Sequence, residues 1–180
     1  MLALYDMDRT LTSRPSWFPW LLFWARHEAP WRLLFLPLLP LLLLAYPLRL
    51  LDRGGLKQAM HRLLMGPRVS QARVAARAAG FAASFGAASE RVGALAQLAA
   101  DRADGLTPVL VTASPHFYVD ALARRWGFAH VIATRNHCEG QMLTPRLDGP
   151  NCHGEAKVTR LKAAFGPDLA QVARAYSDHA

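Results

Sequence analysis

The sequence predicts an α/β fold in which a parallel sheet is covered by helices on both faces. Short apolar runs mark the strands, and uninterrupted apolar runs are typical of strands that are buried on both faces. After Glu90 these runs alternate with helical segments, which is the order found in chains that build parallel sheets. Polar residues directly follow several runs, at the edge where parallel sheets bind ligands.

The individual elements follow from local signals along the chain. Strands are predicted at 2–5, 108–111, 130–134 and 173–177. Helices are predicted at 90–102, 117–126 and 155–165, and Gly127 and Gly166 end the last two. Nearer the N-terminus, a helix opens at about Pro19 and the stretch 50–89 is helical with a break at Gly66 and Pro67. A glycine-containing hairpin is predicted around 139–141.

The composition fits one ordered domain with an insertion and an anionic partner. The chain has 180 residues, 52% of them hydrophobic and 19% charged, with a formal net charge of +8, which excludes a disordered chain. Basic residues cluster between 49 and 89, namely Arg49, Arg53, Lys57, Arg62, Arg68, Arg73 and Arg77. Such a cluster fits a solvated helix face, phosphate or an anionic membrane surface, whereas no nucleic-acid recognition module is visible, so we expect no nucleic-acid partner.

Three carboxylates and a hydroxyl are predicted to meet at one edge of the sheet. Asp6, Asp8, Thr112 and Asp178 each follow a predicted strand, and Lys157 comes from the helix that precedes the last of these strands. Clustered carboxylates repel one another unless a cation neutralises them, and oxygen ligands suit Mg²⁺. A carboxylate, a second carboxylate and a lysine are also the groups that phosphoryl transfer uses.

Four short motifs, in order along the chain, resemble those of the haloacid dehalogenase superfamily. They are "DMDRTLT", "VLVTASP", "GEAK" and "AYSD", and they extend from Asp6 to Asp178. The resemblance implies a three-layer, Rossmann-like parallel sheet with an inserted helical cap, as in the phosphoserine-phosphatase-like branch. It places the catalytic core at 1–12 and 90–180 and the cap at 13–89.

The resemblance also implies a role for each motif residue. Asp6 would be the nucleophile and a ligand of Mg²⁺, and Asp8 would be the general acid and base with its main-chain carbonyl on the metal. Thr112 and Lys157 would bind the phosphoryl group, and Asp178 would complete the magnesium site.

Two departures from the family pattern concern the first motif and the end of the chain. Arg9 stands where the family has glycine, so it must form the turn and is a possible contact for an anionic substrate, while Thr10 would support the loop. The chain stops at Ala180, before the family's second acidic residue and the last strand and helix of the core. We therefore expect a fragment that lacks the C-terminal part of the core.

An uncharged apolar segment at 33–48 indicates contact of the cap with a membrane. It is short for a span and contains Pro37, Pro40 and Pro47. Asp6 precedes the segment and Thr112 follows it, and both must lie on the same side of the membrane to share one site. The chain must therefore cross the membrane an even number of times, which leaves a re-entrant hairpin, an interfacial helix or a buried cap helix. The tryptophans at 17, 20, 24 and 31 suit a membrane interface, and flanking arginines favour the cytoplasmic face of a bacterial inner membrane.

The sequence therefore predicts a magnesium-dependent phosphatase that acts on a lipid phosphate. "LPLLP" and "NCHGEAKVTRL" resemble phosphatidylglycerophosphatase C, which implies phosphatidylglycerol phosphate as substrate. The alternatives are a phosphomonoesterase for a soluble substrate such as phosphoserine and an inactive, membrane-peripheral fragment.

A possible set of zinc ligands consists of His137, Cys138, Cys152 and His153, but its spacing matches no familiar zinc site. We interpret these residues as part of the hairpin and the turn before the Lys157 helix. The oligomeric state is not predicted.

Overall fold

The computed structural model of the protein describes residues 1–178 and contains two sheets and a set of helices. The strands are β1 (Leu2–Tyr5), β2 (Val69–Ser70), β3 (Thr107–Pro115), β4 (His130–Thr134), β5 (Asn136–Glu139), β6 (Met142–Leu147) and β7 (Val172–Tyr176). The helices are α1 (Trp17–Glu28), α2 (Leu39–Ala45), α3 (Arg53–Leu64), α4 (Gln71–Phe81), α5 (Ala87–Ser89), α6 (Val92–Ala103), α7 (His116–Trp126) and α8 (Glu155–Phe165). A 3-10 helix at Pro30–Leu38 and wide helical turns at Met7–Leu11 and Ala82–Gly86 complete the path.

The main sheet has four strands in the order β4-β3-β1-β7, and all of its pairings are parallel. Alternate residues of β1 and β3 point to opposite faces, since Tyr5 and Leu110 pack in one apolar cluster while Leu2 and Val109 pack in another. Helices α6 and α7 cover the first face, and α8 covers the second through Leu161. The predicted α/β fold class, with a parallel sheet as the middle of three layers, is confirmed.

The register of the sheet brings the carboxyl ends of β1 and β7 level with the middle of β3. Tyr5, the last residue of β1, pairs with Leu110 of β3 on one side and with Tyr176 of β7 on the other. The main-chain N–H of Asp6 continues this ladder and donates to the carbonyl oxygen of Tyr176 at 2.9 Å. The residues that follow β1 and β7 therefore share one edge of the sheet with the second half of β3, which contains Thr112.

The two ends of the predicted insertion lie side by side. Ser13 N donates to Ser89 O at 2.7 Å, and Thr12 forms an isolated antiparallel bridge with Glu90. The insertion nevertheless shares one apolar core with the sheet's own helices, because Trp20 of α1 stacks on Tyr118 of α7 with ring centroids 5.1 Å apart. The limits at 12/13 and 89/90 stay a prediction.

A second, small sheet connects the insertion to the rest of the chain. The predicted hairpin is present as β5 and β6, and β2 pairs antiparallel with β6 through Val69 and Leu143. The sequence did not predict β2, since a strand of two residues produces no periodic pattern.

The apolar segment 33–48 forms the end of the 3-10 helix and α2, and it lies largely at the surface. Leu39 is buried, whereas Leu34, Leu41 and Leu44 are 79%, 65% and 54% exposed. None of the helices within residues 1–178 combines the length and the apolar character that crossing a bilayer requires.

The expectation that four tryptophans lie at a membrane interface is wrong for three of them. Trp20 and Trp24 are buried in the core, and Trp17 packs on Tyr118. Trp31 is exposed and lies beside the guanidinium of Arg32. The first three face inward because α1 packs its aromatic side against α4 and α7, a pairing that the local sequence does not reveal.

Candidate active site

A carboxylate and a lysine from opposite ends of the chain form an ion pair beyond the carboxyl end of β1. Lys157, in the first turn of α8, places its Nζ 2.8 Å from Oδ1 of Asp6. The Asp6 and Lys157 side chains are 15% and 27% exposed, so the pair is shielded from most of the solvent but can still be reached. The structure thus brings together the predicted nucleophile and the predicted phosphate-binding lysine.

Asp8 is held by hydrogen bonds on both of its carboxylate oxygens. The N–H of Ser16 donates to Oδ1 at 2.8 Å, and the hydroxyl of Ser114 donates to Oδ2 at 2.6 Å. Burial raises the pKa of Asp8 above its usual value, and the Asp6 charge adds to the increase, while the bonds from Ser114 and Ser16 reduce it. A raised pKa keeps a proton on Asp8 to higher pH, which suits a general acid.

Thr112 is buried at the same edge, with its hydroxyl oriented by its neighbour. The main-chain N–H of Ser114 donates to Thr112 Oγ1 at 3.1 Å, so the hydroxyl oxygen is an acceptor in this contact. The hydroxyl hydrogen is then available to donate to a bound anion.

These residues line one cavity together with Asp178. The cavity has a volume of about 330 Å³, and its walls include Asp6, Asp8, Thr112, Lys157 and Asp178. A larger cavity of about 520 Å³ lies between α4 and the β5–β6 hairpin, but none of the predicted site residues line it. The small cavity is therefore the candidate active site.

Arg9 has the backbone conformation that a glycine would adopt without strain. Its φ is 66° and its ψ is −2°, in the left-handed region, so the turn of the first motif is made by a residue that pays a steric cost. Arg9 lines the catalytic cavity, which is compatible with a contact to an anionic substrate. Thr10 lies further away, along a neighbouring cavity, and its buried hydroxyl has no hydrogen-bond partner within residues 1–178.

Lys57 of α3 also lies near the site, and the sequence did not predict its contacts with the core. Its Nζ donates to the carbonyl oxygen of Ala113 at 2.5 Å and to Oδ1 of Asn151 at 2.7 Å. Burial lowers the pKa of Lys57 to about 8, and the charge of Asp8 opposes this decrease. In the sequence Lys57 is one of many basic residues in its segment, and nothing local distinguishes it from its neighbours.

The donor set fits Mg²⁺ if main-chain and water oxygens complete it. Within the described part of the chain, no group of three or more His, Cys, Asp or Glu side chains could hold a metal ion. The Asp8 carboxylate is already bonded to Ser16 and Ser114, whereas Asp6 and Asp178 are the other acidic residues that line the cavity. Magnesium commonly binds one or two carboxylates and keeps several waters, so these residues suffice.

Comparison with known proteins assigns the chain to a family. The chain belongs to the haloacid dehalogenase-like hydrolase family, whose model matches residues 3–180. It is 40% identical over 181 residues to protein CicA of Caulobacter vibrioides, covering 99% of this chain and 78% of CicA. The predicted superfamily is therefore confirmed, and its members are hydrolases that generally use Mg²⁺.

Solved structures agree with this assignment. A protein of unknown function from Bordetella pertussis Tohama I matches with a TM-score of 0.80 and 28% identity over 97% of this chain and 79% of that chain. A phosphoserine phosphatase with a phospho-aspartyl intermediate analogue matches with a TM-score of 0.56 and 16% identity, over 91% of this chain and 69% of that chain. The fold is thus that of the phosphoserine-phosphatase-like branch.

Proposed function

We propose that the protein is a magnesium-dependent phosphatase that works through an aspartyl-phosphate intermediate and acts on a lipid phosphate such as phosphatidylglycerol phosphate. The observation that carries the proposal is the shared cavity in which Asp6, paired with Lys157, lies beside Asp8 and Thr112. These are the groups that displacement at phosphorus needs.

Each residue has a defined part in the proposed reaction. An oxygen of Asp6 attacks phosphorus, the bond to the leaving oxygen breaks, and Asp8 gives that oxygen its proton. Water then attacks the aspartyl-phosphate, Asp8 takes a proton from the water, and phosphate leaves with Asp6 restored. The Lys157 ammonium and the Thr112 hydroxyl bind the phosphoryl oxygens, and bound Mg²⁺ would supply further neutralisation of their charge.

The exposed apolar surface of the cap supports a lipid substrate. We define this surface by the large side chains exposed on 31–50, which are Trp31, Leu34, Leu38, Leu41, Leu43, Leu44, Tyr46, Leu48 and Leu50. Concentrated apolar exposure of this kind marks a binding surface, and the neighbouring arginines fit anionic lipid. The proposal places the protein at the cytoplasmic face of a bacterial inner membrane.

A soluble substrate such as phosphoserine is the second candidate. The fold likeness to a substrate-bound phosphoserine phosphatase, with a TM-score of 0.57 at 15% identity, favours it. That likeness concerns the fold alone, and a soluble substrate does not account for the exposed apolar surface.

Phosphate release with Mg²⁺ present tests the proposal. The substrates are phosphatidylglycerol phosphate in mixed vesicles, phosphoserine and p-nitrophenyl phosphate, and the variants are Asp6→Asn and, as a control on the exposed side of α8, Lys162→Gln. We expect a preference for the lipid, activity retained in Lys162→Gln, and a loss of about 1,000-fold or more in Asp6→Asn, as for other catalytic nucleophiles. A preference for phosphoserine would replace the lipid proposal, and full activity in Asp6→Asn would refute the nucleophile.

A further inference from the structure

Two basic side chains face each other across the gap between α3 and the core, at the wall of the catalytic cavity. Nη1 of Arg53, the first residue of α3, contacts Nε2 of His153, and His153 is one of the residues that line the cavity with Asp6 and Lys157. Within residues 1–178 Arg53 forms no salt bridge. The carboxylate of its neighbour Asp52 accepts the N–H of Gly55 instead and caps the helix.

The charged groups around Arg53 and His153 are mainly positive, as in an anion-binding site. Burial lowers the pKa of His153, and the charges of Arg53, Lys157 and Lys57 lower it further. The nearby acid that opposes this decrease is Asp6, which is already paired with Lys157. Arg53 thus supplies positive charge and N–H donors, and the His153 ring supplies a further hydrogen-bonding group, while Arg53 has no carboxylate partner within residues 1–178.

The position of Arg53 connects the cavity to the apolar surface. Its Nε donates to the hydroxyl of Tyr46 at 3.1 Å, and Tyr46 follows α2 within the apolar surface. Along this line the order is phosphoryl site, His153, Arg53, Tyr46 and then exposed leucines. A ligand that fits this order carries its cleavable phosphate at one end, a second anion in the middle and an apolar part at the other end.

We propose that Arg53 and His153 bind a second anionic group of the substrate, a phosphodiester or a carboxylate, between the phosphoryl site and the apolar surface. This inference rests on the proposed function and makes it more specific: the substrate is a phosphomonoester with a further negative charge. In a lipid phosphate the second group is the phosphodiester of the headgroup, and in a small soluble substrate it is a carboxylate.

A kinetic comparison tests the role of Arg53 in specificity. The measured quantity is the ratio of kcat/KM for phosphatidylglycerol phosphate, or for phosphoserine, to kcat/KM for p-nitrophenyl phosphate, which has no second anion. In Arg53→Gln we expect the ratio for the true substrate to fall about 10- to 100-fold, the loss of a charged hydrogen bond, with partial recovery in Arg53→Lys. Arg62→Gln, on the same helix and exposed, is the matched control and leaves the ratio unchanged.

A binding experiment remains decisive if the chain has no activity. Glycerophosphoglycerol contains a phosphodiester and no phosphomonoester, and lactate contains a carboxylate, so their effects on the His153 ring resonances separate the two sources of the anion. We expect one of them to shift these resonances in a saturable way, with binding weakened at least about 10-fold in Arg53→Gln. No saturable shift with either probe, or equal losses on all three substrates in Arg53→Gln, would overturn the inference. If p-nitrophenyl phosphate hydrolysis is absent or insensitive to Asp6→Asn, the proposed function fails and the binding result still judges the second-anion site.

Discussion

At the scale of single residues, Lys57 joins the insertion to a strand and a loop of the core. Its ammonium bonds to Ala113, which follows Thr112, and to Asn151, in the loop that leads to Lys157. The hydroxyl of Thr134 also forms hydrogen bonds with these two oxygens, the Ala113 carbonyl oxygen and Asn151 Oδ1. Together these hydrogen bonds connect α3, β3, β4 and the turn before α8. Lys57 therefore influences how Thr112 and Lys157, the proposed phosphate-binding residues, are placed.

The lowered pKa of Lys57 predicts how stability changes with pH. Up to about pH 8 the ammonium is protonated in both the folded and the unfolded chain. Between about 8 and the ordinary value of 10.5, the unfolded chain holds a proton that the folded chain has lost, so rising pH favours folding. Asp8 and Cys152 oppose this pKa decrease and Arg53 adds to it.

We expect the free energy of unfolding of the wild type to rise relative to that of Lys57→Met between pH 8 and pH 10. The relative gain is about 1–3 kcal/mol, from a pKa difference of roughly two units at 1.36 kcal/mol each. Urea unfolding at several pH values measures it, and Lys162→Met, a change at an exposed lysine, is the control. Parallel pH profiles for wild type and Lys57→Met would show that Lys57 titrates normally.

At the scale of elements, Asp101 ties α6 to two strands of the main sheet. Its carboxylate is fully buried and accepts hydrogen bonds from Tyr5 of β1 at 2.6 Å and from Arg174 and Tyr176 of β7 at 2.6 and 3.2 Å. Burial raises the pKa of Asp101, but the bonds from Tyr5 and Arg174 outweigh it and leave the pKa below its usual value. This network holds β7 in register, so that Asp178 reaches the cavity.

Removing this carboxylate should cost much more than removing an exposed one that shares its partner. We expect Asp101→Ala to lower the free energy of unfolding by about 3 kcal/mol or more, because Tyr5 loses its acceptor and the charge of Arg174 loses its buried partner. Asp104 also pairs with Arg174, at 2.9 Å, but is 54% exposed, so Asp104→Ala should cost less than about 1 kcal/mol. Similar losses in the two variants, measured by urea unfolding, would contradict the structural role of Asp101.

Local sequence patterns correctly predicted those helices and strands whose bounds are set by their own residues. The bounds of β4 and α8 agree with the prediction because an apolar run and a glycine C-cap define them, and the predicted end of β1 placed Asp6 correctly. Thr112 was predicted to follow a strand that ends at 111, but β3 continues to Pro115 and contains Thr112. The hydrogen bonds of Ser16 and Ser114 to Asp8 join residues far apart in the sequence, and the inward packing of Trp20 depends on how α1 meets α7. No local pattern contains that information.

At the scale of the whole molecule, the apolar surface and the catalytic cavity are joined by α3 and the stretch before it. Arg53 contacts both His153 of the cavity wall and Tyr46 of the apolar surface. If the apolar surface rests on a bilayer, the cavity opens close to the headgroups. This arrangement is the physical basis for proposing a lipid phosphate as the substrate.

We expect the protein to float with vesicles that contain anionic lipid, and the combined variant Leu34→Gln, Leu41→Gln, Leu44→Gln to lose most of this binding. Each exposed leucine contributes on the order of 1 kcal/mol when it enters lipid, so the combined loss is at least about 10-fold. Val92→Gln, which changes an exposed apolar residue of α6 outside this surface, is the control. Because the substituted leucines are exposed, thermal unfolding should change little. Undiminished flotation of the triple variant would rule out this surface as the contact.

The position of β1 in the sheet determines when this site can form during synthesis. β1 is made before both of its neighbours in the sheet, because β3 and β7 begin only at Thr107 and Val172. At roughly 5–20 residues per second, an emerging chain leaves β1 without its β3 neighbour for about 5–20 s and waits longer for β7. Asp6, the proposed nucleophile, therefore leaves the ribosome long before the strands that complete its site, and until then an unpaired apolar strand is open to chaperones or to aggregation.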